Sequence, residues 1–246
     1  MKRMMILCFV LCAVMVAFTQ AAIVTFSGPV DASNTSSLDT EWLAGGTFVE
    51  GVTYGSGEKA FTTAGGQSIT LAGSAGTGLG NMDMPAGTPS STSGYYNAGE
   101  QWIWNGTADT DVLEWTDALK GNLWHNSASD APRPLTLHLA NLTIGQEYAV
   151  SLFSADARFT DRDQAYWSSF SGGIFSGGTS GSFSQSSAYK VTGTFIADAA
   201  YQDIFIQATD LVGNADTTLA VYTLYAVPEP TTMLLLGLGG LMLRRR

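Results

Sequence analysis

Between Leu135 and Leu139 the segment "LTLHLANL" places leucine at every second position. Leu135, Leu137 and Leu139 fall on one face of an extended chain, and Thr136, His138 and Ala140 fall on the other. This period of two sets what the chain can fold into, because it fits a half-buried strand and no helix. The pattern recurs. "EYAVSLFSAD" sets Tyr148, Val150 and Leu152 against Ala149, Ser151 and Phe153. "VTGTFIAD", "YQDIFIQATD" and "TTLAVYTLYAV" follow at short intervals, and "AIVTFSG", "TFVEGVTYG" and "QSITLAG" precede. No long segment keeps apolar residues at a spacing of 3.6. Many short strands with glycine-rich turns predict an all-β chain, an antiparallel β-sandwich of jelly-roll type. "NLTIGQEY" reads as a hairpin connection around Gly145, and "GSGEKA" as another hairpin turn. "DTDVLEWTDALKG" is the one short helix expected, with Val112, Trp115 and Leu119 on a face and Gly121 as cap. Two glycine- and serine-rich stretches, 73–94 and 168–187, read as loops.

The ends differ from this body. Lys2 and Arg3 precede an uncharged apolar run, Met4 to Phe18, and "TQAA" offers the small residues Thr19 and Ala21. That three-part order is a secretory signal. Cys8 and Cys12 follow Leu7 and Leu11, where lipoprotein processing needs a small residue. Both cysteines of the chain lie in this leader. The exported body therefore has no disulfide and rests on core packing alone. At the other end, "VPEP" leads into Thr231–Leu243, 13 apolar-rich residues, and then Arg244, Arg245 and Arg246. As a helix the run covers about 20 Å, against a hydrocarbon core of about 30 Å. A permanent span is poorly supported. A transient insertion, with the arginines held on the cytoplasmic side, fits.

Pro228, Glu229 and Pro230, the stretch with "GLGGL" and the arginine cluster together resemble the PEP-CTERM sorting signal. The resemblance covers about the last twenty residues. It implies an exported protein of a Gram-negative-type bacterium that makes exopolysaccharide. It also implies passage through the export machinery, recognition by an exosortase, and cleavage near the triplet. The stretch from 134 to 227 resembles the bodies of many such proteins, jelly-roll domains of the galactose-binding-like kind, and implies no catalytic residue. The expected organisation is a signal at 1–21, a β-sandwich at 22–227 and a sorting tail at 228–246.

Between residues 22 and 227 lie Lys59, Lys120, Arg133, Arg158, Arg162 and Lys190, against all of the chain's acids but Glu229, for a net charge of about −14. This disfavours nucleic acid as a partner, since phosphate contacts need basic surfaces. "GSGEKA" has the letters of a dinucleotide fingerprint (Gly55, Gly57, Ala60) without the helix that motif requires. With His125 and His138 alone, zinc spacing is absent. His138 reads as a surface or cross-strand residue. No catalytic set is assigned, and the chain reads as no enzyme.

Two groups remain as site candidates. Asp109, Asp111 and Asp117, and Asp161 with Asp163, are hard oxygen ligands at short spacing, candidates for calcium. They compete with capping roles and with pairing to Arg158 and Arg162. Trp102, Trp104 and Trp124, near Tyr95, Tyr96 and Trp115, are candidates for stacking on sugar rings. They compete with a role as core filling. The leading expectation is a structural or adhesive protein in the outer envelope or extracellular matrix. The alternatives are a lectin-like module and, third, a glycan-processing enzyme.

Overall fold

A computed structural model describes residues 22–31, 46–54, 57–62, 67–74, 82–83, 93–97, 121–126, 134–154, 162–185, 188–209 and 216–228. Residues 1–21, residues 229–246 and residues 109–120 of the expected helix lie outside this set. The described residues are strands and turns. Eight strands form the larger sheet. They are β1 (Thr25–Phe26), β2 (Val30–Asp31), β3 (Thr47–Tyr54), β4 (Lys59–Thr62), β5 (Ser68–Ser74), β10 (Glu147–Ser154), β14 (Tyr189–Ile196) and β17 (Val221–Ala226). The order across it is β1-β14-β10-β17-β3-β5-β4, with β2 also on β14. A six-stranded sheet runs in the order β12 (Ile174–Thr179), β11 (Asp163–Ser171), β15 (Tyr201–Ala208), β9 (Leu135–Ala140) and β6 (Met82–Asp83), with β13 (Phe183–Ser184) also on β11. A third sheet joins β16 (Asp216–Leu219), β8 (Gly121–Asn126) and β7 (Ser93–Asn97).

The two large sheets pack as a sandwich. Leu135, Leu137, Leu139, Ile204, Ile206 and Tyr166 from one meet Val150, Leu152, Val191, Tyr222 and Leu224 from the other in a single buried cluster. The alternation of β9 is therefore real, with leucines inside and Thr136, His138 and Ala140 half-buried outside. In β10 both faces are buried, since Ala149, Ser151 and Phe153 are as covered as Val150 and Leu152. Its neighbour β17 is buried in the same way from Val221 to Tyr225.

Four expectations need correction. The turn at Gly145 exists, with φ at 87°, but it is no hairpin. β9 pairs with β15 and β6, whereas β10 pairs with β14 and β17. The connection crosses between sheets, and a short turn says nothing of whether its strands share a ladder. Second, "GSGEKA" does not join neighbours, because β5 lies between β3 and β4. Third, β3 and β5 pair in parallel, Val52 opposite Ala72, so the sheet is mixed. Fourth, 168–187 is largely strand. β11 and β12 form a hairpin closed at Gly172 and Gly173, both with positive φ, as a two-residue hairpin turn of twist-compatible hand requires. Serine and glycine composition concealed Phe170, Ile174 and Phe175. Within 73–94, Met82–Asp83 likewise pairs with β9. Gly121 opens β8.

A buried polar cluster fastens the layers. Gln164 of β11 is fully buried. Its Nε2 donates to Ser154 Oγ at 2.8 Å and to the Thr218 carbonyl at 3.0 Å, and its Oε1 accepts from the Thr218 N–H at 2.8 Å. Gln185 Nε2 donates to the same Oε1 at 3.0 Å. One side chain thus ties β11 to β10 and β16, one strand from each of the three sheets.

Burial also acts on two phenols. Burial pushes Tyr225 up to about 12, and its neighbour Thr223 offsets part of the rise. Tyr166 is raised further by burial, opposed by Ser154 and Gln164. A phenol that stays protonated in the fold but ionises near 10 when unfolded stabilises fully below that pH. The stability is lost as pH rises toward the folded value. We expect a cooperative loss of structure between about pH 10 and 12, with these two phenols ionising only as it occurs. Ultraviolet titration followed alongside circular dichroism checks this. Complete ionisation ahead of unfolding would contradict it.

Candidate functional site

The outward face of the six-stranded sheet gathers groups that are far apart in sequence. Alternation in β9 turns His138 outward, and in β15 it does so for Asp203 and Phe205. Register sets Asp203 opposite His138, and Trp167 of β11 opposite Phe205. His138 Nδ1–H donates to Asp203 Oδ1 at 2.6 Å. The imidazole stacks on Tyr201, with centroids 5.3 Å apart and planes inclined by 23°. Tyr201 is 52% exposed.

Beside this trio lies an aromatic row. Phe170 packs on Phe175 at 4.7 Å and on Phe205 at 5.9 Å, and Trp167 packs on Phe175 at 5.5 Å. All four rings are partly exposed. The Trp167 Nε1 proton has no acceptor among the described residues. The face thus offers ring surface for apolar C–H groups, and beside it an imidazole and a carboxylate for hydroxyls. Flat rings with a few fixed polar groups are how binding faces hold small neutral ligands.

Trp102, Trp104, Asp109, Asp111, Asp117 and Asp161 lie outside the described residues. The Trp124 backbone lies in β8, opposite Gly94 and Thr218. Asp163 opens β11 opposite Ser184, and its carbonyl accepts from the Thr209 N–H at 2.9 Å. No group of three or more His, Cys, Asp or Glu that suits a metal occurs among the described residues. His138 stands where its cross-strand reading put it. Sequence reasoning singles out none of Trp167, Phe170, Phe175, Tyr201, Asp203 or Phe205 as a site residue. The alternation of "YQDIFIQA" was enough to pair Tyr201, Asp203 and Phe205 on one face. The partner strand was not legible.

The sorting triplet begins where the body ends. The Val227 N–H donates to the Glu147 carbonyl at 2.9 Å, and Gln146 Nε2 donates to the Val227 carbonyl at 2.6 Å. Pro228 follows, exposed, while Glu229, Pro230 and Arg244 to Arg246 lie outside the described residues. No helix among the described residues is long and apolar enough to cross a membrane.

Comparison with known proteins matches the PEP-CTERM protein-sorting motif to residues 226–246. No curated protein matches the chain. Among solved structures it is similar to the CBM22-1 xylan-binding domain from Paenibacillus barcinonensis Xyn10C, at 11% identity, over 75% of this chain and 97% of that one. The TM-score of 0.43 carries no argument about fold or ligand. The chain thus carries a PEP-CTERM sorting signal at its C-terminus, which marks it for export and membrane-associated sorting.

Proposed function

We propose that this chain is an exported, non-enzymatic adhesive protein of an exopolysaccharide-rich outer envelope or matrix in a Gram-negative-type bacterium. In this reading residues 1–21 are the export signal, and 228–246 are removed by an exosortase after transient membrane insertion. Residues 22–227 are the working body, a jelly-roll-like sandwich. It contacts exopolysaccharide through the outward face of β9, β15, β11 and β12. The observation that carries the reading is that face: the His138–Asp203–Tyr201 trio beside Trp167, Phe170, Phe175 and Phe205. The sorting motif supports the location.

Affinity electrophoresis of the full chain in gels containing neutral and acidic polysaccharides tests it. Tyr201→Ala removes an exposed ring and is expected to change stability by less than about 0.5 kcal/mol, while weakening retardation several-fold. Trp102→Ala and Trp124→Ala probe the other aromatic segment in the same gels. Loss there with none at Tyr201 moves the site. No retardation by any polysaccharide overturns glycan contact.

A further inference from the structure

The strand directions bring both chain ends to one end of the sandwich. β10 starts at Glu147, β14 ends at Ile196 and β17 ends at Ala226, and these three lie side by side. β1 runs antiparallel to β14 with Thr25 opposite Thr194, so Ala22 and Ile23 lie at that end too. Val24 is fully buried there, and a Cβ on Gly178 or Gly193 would overlap its carbonyl or its side chain. The N-terminal segment is therefore seated in the fold. The short links 141–146 and 197–200 join the two sheets here, and the Gly172–Gly173 turn lies at the same end.

This end is apolar. Ile23, Ile144, Ile174 and Ile196 are the four most exposed of the large apolar residues described, at 59% to 69%, and all four sit on it. An open depression of about 390 Å³ lies between Ile23 and Ile196, with Glu147 and Asp198 on its wall. Of the described basic residues, Lys190 lies toward the opposite end, across from Val30. Arg162 lies there too, just before β11, while Lys59 pairs with Leu71 midway along β5. Contiguous exposed apolar groups on one surface mark an interaction site.

We propose that this end rests on the surface of a zwitterionic lipid bilayer while the sorting tail is inserted. The proposal rests on the sorting reading above. Its grounds are that the 21 residues before Ala22 and the 18 after Pro228 both depart from this end, and that both carry apolar runs. A body tethered there keeps the four isoleucines within reach of the interface, where apolar side chains partition into the headgroup boundary. The carboxylates and the lack of described bases at this end argue for neutral over anionic lipid. The aromatic face begins at this end, where Tyr201 follows the 197–200 link, and runs from there along the side of the sandwich.

The test uses the full chain with Cys8→Ser and Cys12→Ser, reconstituted into phosphatidylcholine vesicles. Single cysteines, Ile144→Cys, Ile196→Cys, Val30→Cys or Leu236→Cys, carry a polarity-sensitive dye, and the lipid carries a quencher. Labels at 144 and 196 are expected to lose most of their emission, with the label at 30 keeping it. Labels at 144 and 196 that behave like the one at 30, while the label at 236 is quenched, overturn docking and leave the sorting reading standing. No quenching at 236 takes down both. Emission at 144 and 196 that shifts with protein concentration and not with lipid overturns the proposal in favour of a second copy.

Discussion

A chain ending at Ala220 is expected not to fold, whereas one ending at Pro228 is expected to keep the whole stability of the body. β17 lies between β10 and β3, paired along its length on both sides. Val221, Tyr222, Thr223, Leu224 and Tyr225 are all fully buried. At about 1.5–3 kcal/mol for each large apolar side chain, their removal costs roughly as much as the 5–15 kcal/mol that holds a typical domain together. It also leaves two ladder edges open in the middle of a sheet, each a row of unpaired N–H and C=O groups. Beyond Pro228 no described group is lost. Far-UV circular dichroism and guanidinium titration of the two truncations check this. A cooperative transition in the shorter chain would refute the central role of β17. A cut at the triplet is accordingly expected to leave the described fold intact, and a cut a few residues earlier to destroy it.

Gln164→Leu is expected to cost roughly 3–5 kcal/mol, at about 1–3 kcal/mol for each buried polar group left without a partner. The leucine nearly preserves volume, so the loss isolates hydrogen bonding. It strands the Thr218 N–H, takes one acceptor from the Gln185 amide, and takes a donor from Ser154 Oγ and the Thr218 carbonyl. Urea titration gives the difference. Gln164→Glu keeps the acceptor for the Thr218 N–H but adds a buried carboxylate, so at neutral pH it is expected to cost at least as much as Gln164→Leu. A change below about 1 kcal/mol in Gln164→Leu would mean that the hydrogen bonds of Gln164 contribute little to holding the three sheets together.

Much of the strand inventory was legible, because side-chain period is a local property. The leucines of β9 are inside, and "TTLAVYTLYAV" is a pair of strands. Composition misled at 168–187, where serine and glycine suggested a loop. The short apolar positions Phe170, Ile174 and Phe175 were enough to hold a hairpin across a two-glycine turn. The candidate site was less legible than the strands. Asp203 and His138 stand 65 residues apart in sequence, and the aromatic row draws on three strands. Aromatics crowded along the sequence drew attention to Trp102, Trp104 and Trp124. Aromatics brought together by register gave no such signal.

By itself the sequence determined the chemistry of the two ends, the absence of any disulfide in the body, and the extended character of most segments. Each of these follows from neighbouring residues: a charge beside an apolar run, two cysteines confined to positions 8 and 12, alternation every second position. Only the tertiary structure decided that the turn at Gly145 changes sheets, that β10 and β17 are covered on both faces, and that β5 inserts in parallel between β3 and β4. It also decided that Ala22 and Pro228 leave from the end that carries the four exposed isoleucines. The physical reason is that a strand's period fixes which residues share a face, but its ladder partners are chosen by contacts distant in sequence. Those contacts compete through the burial of the whole core.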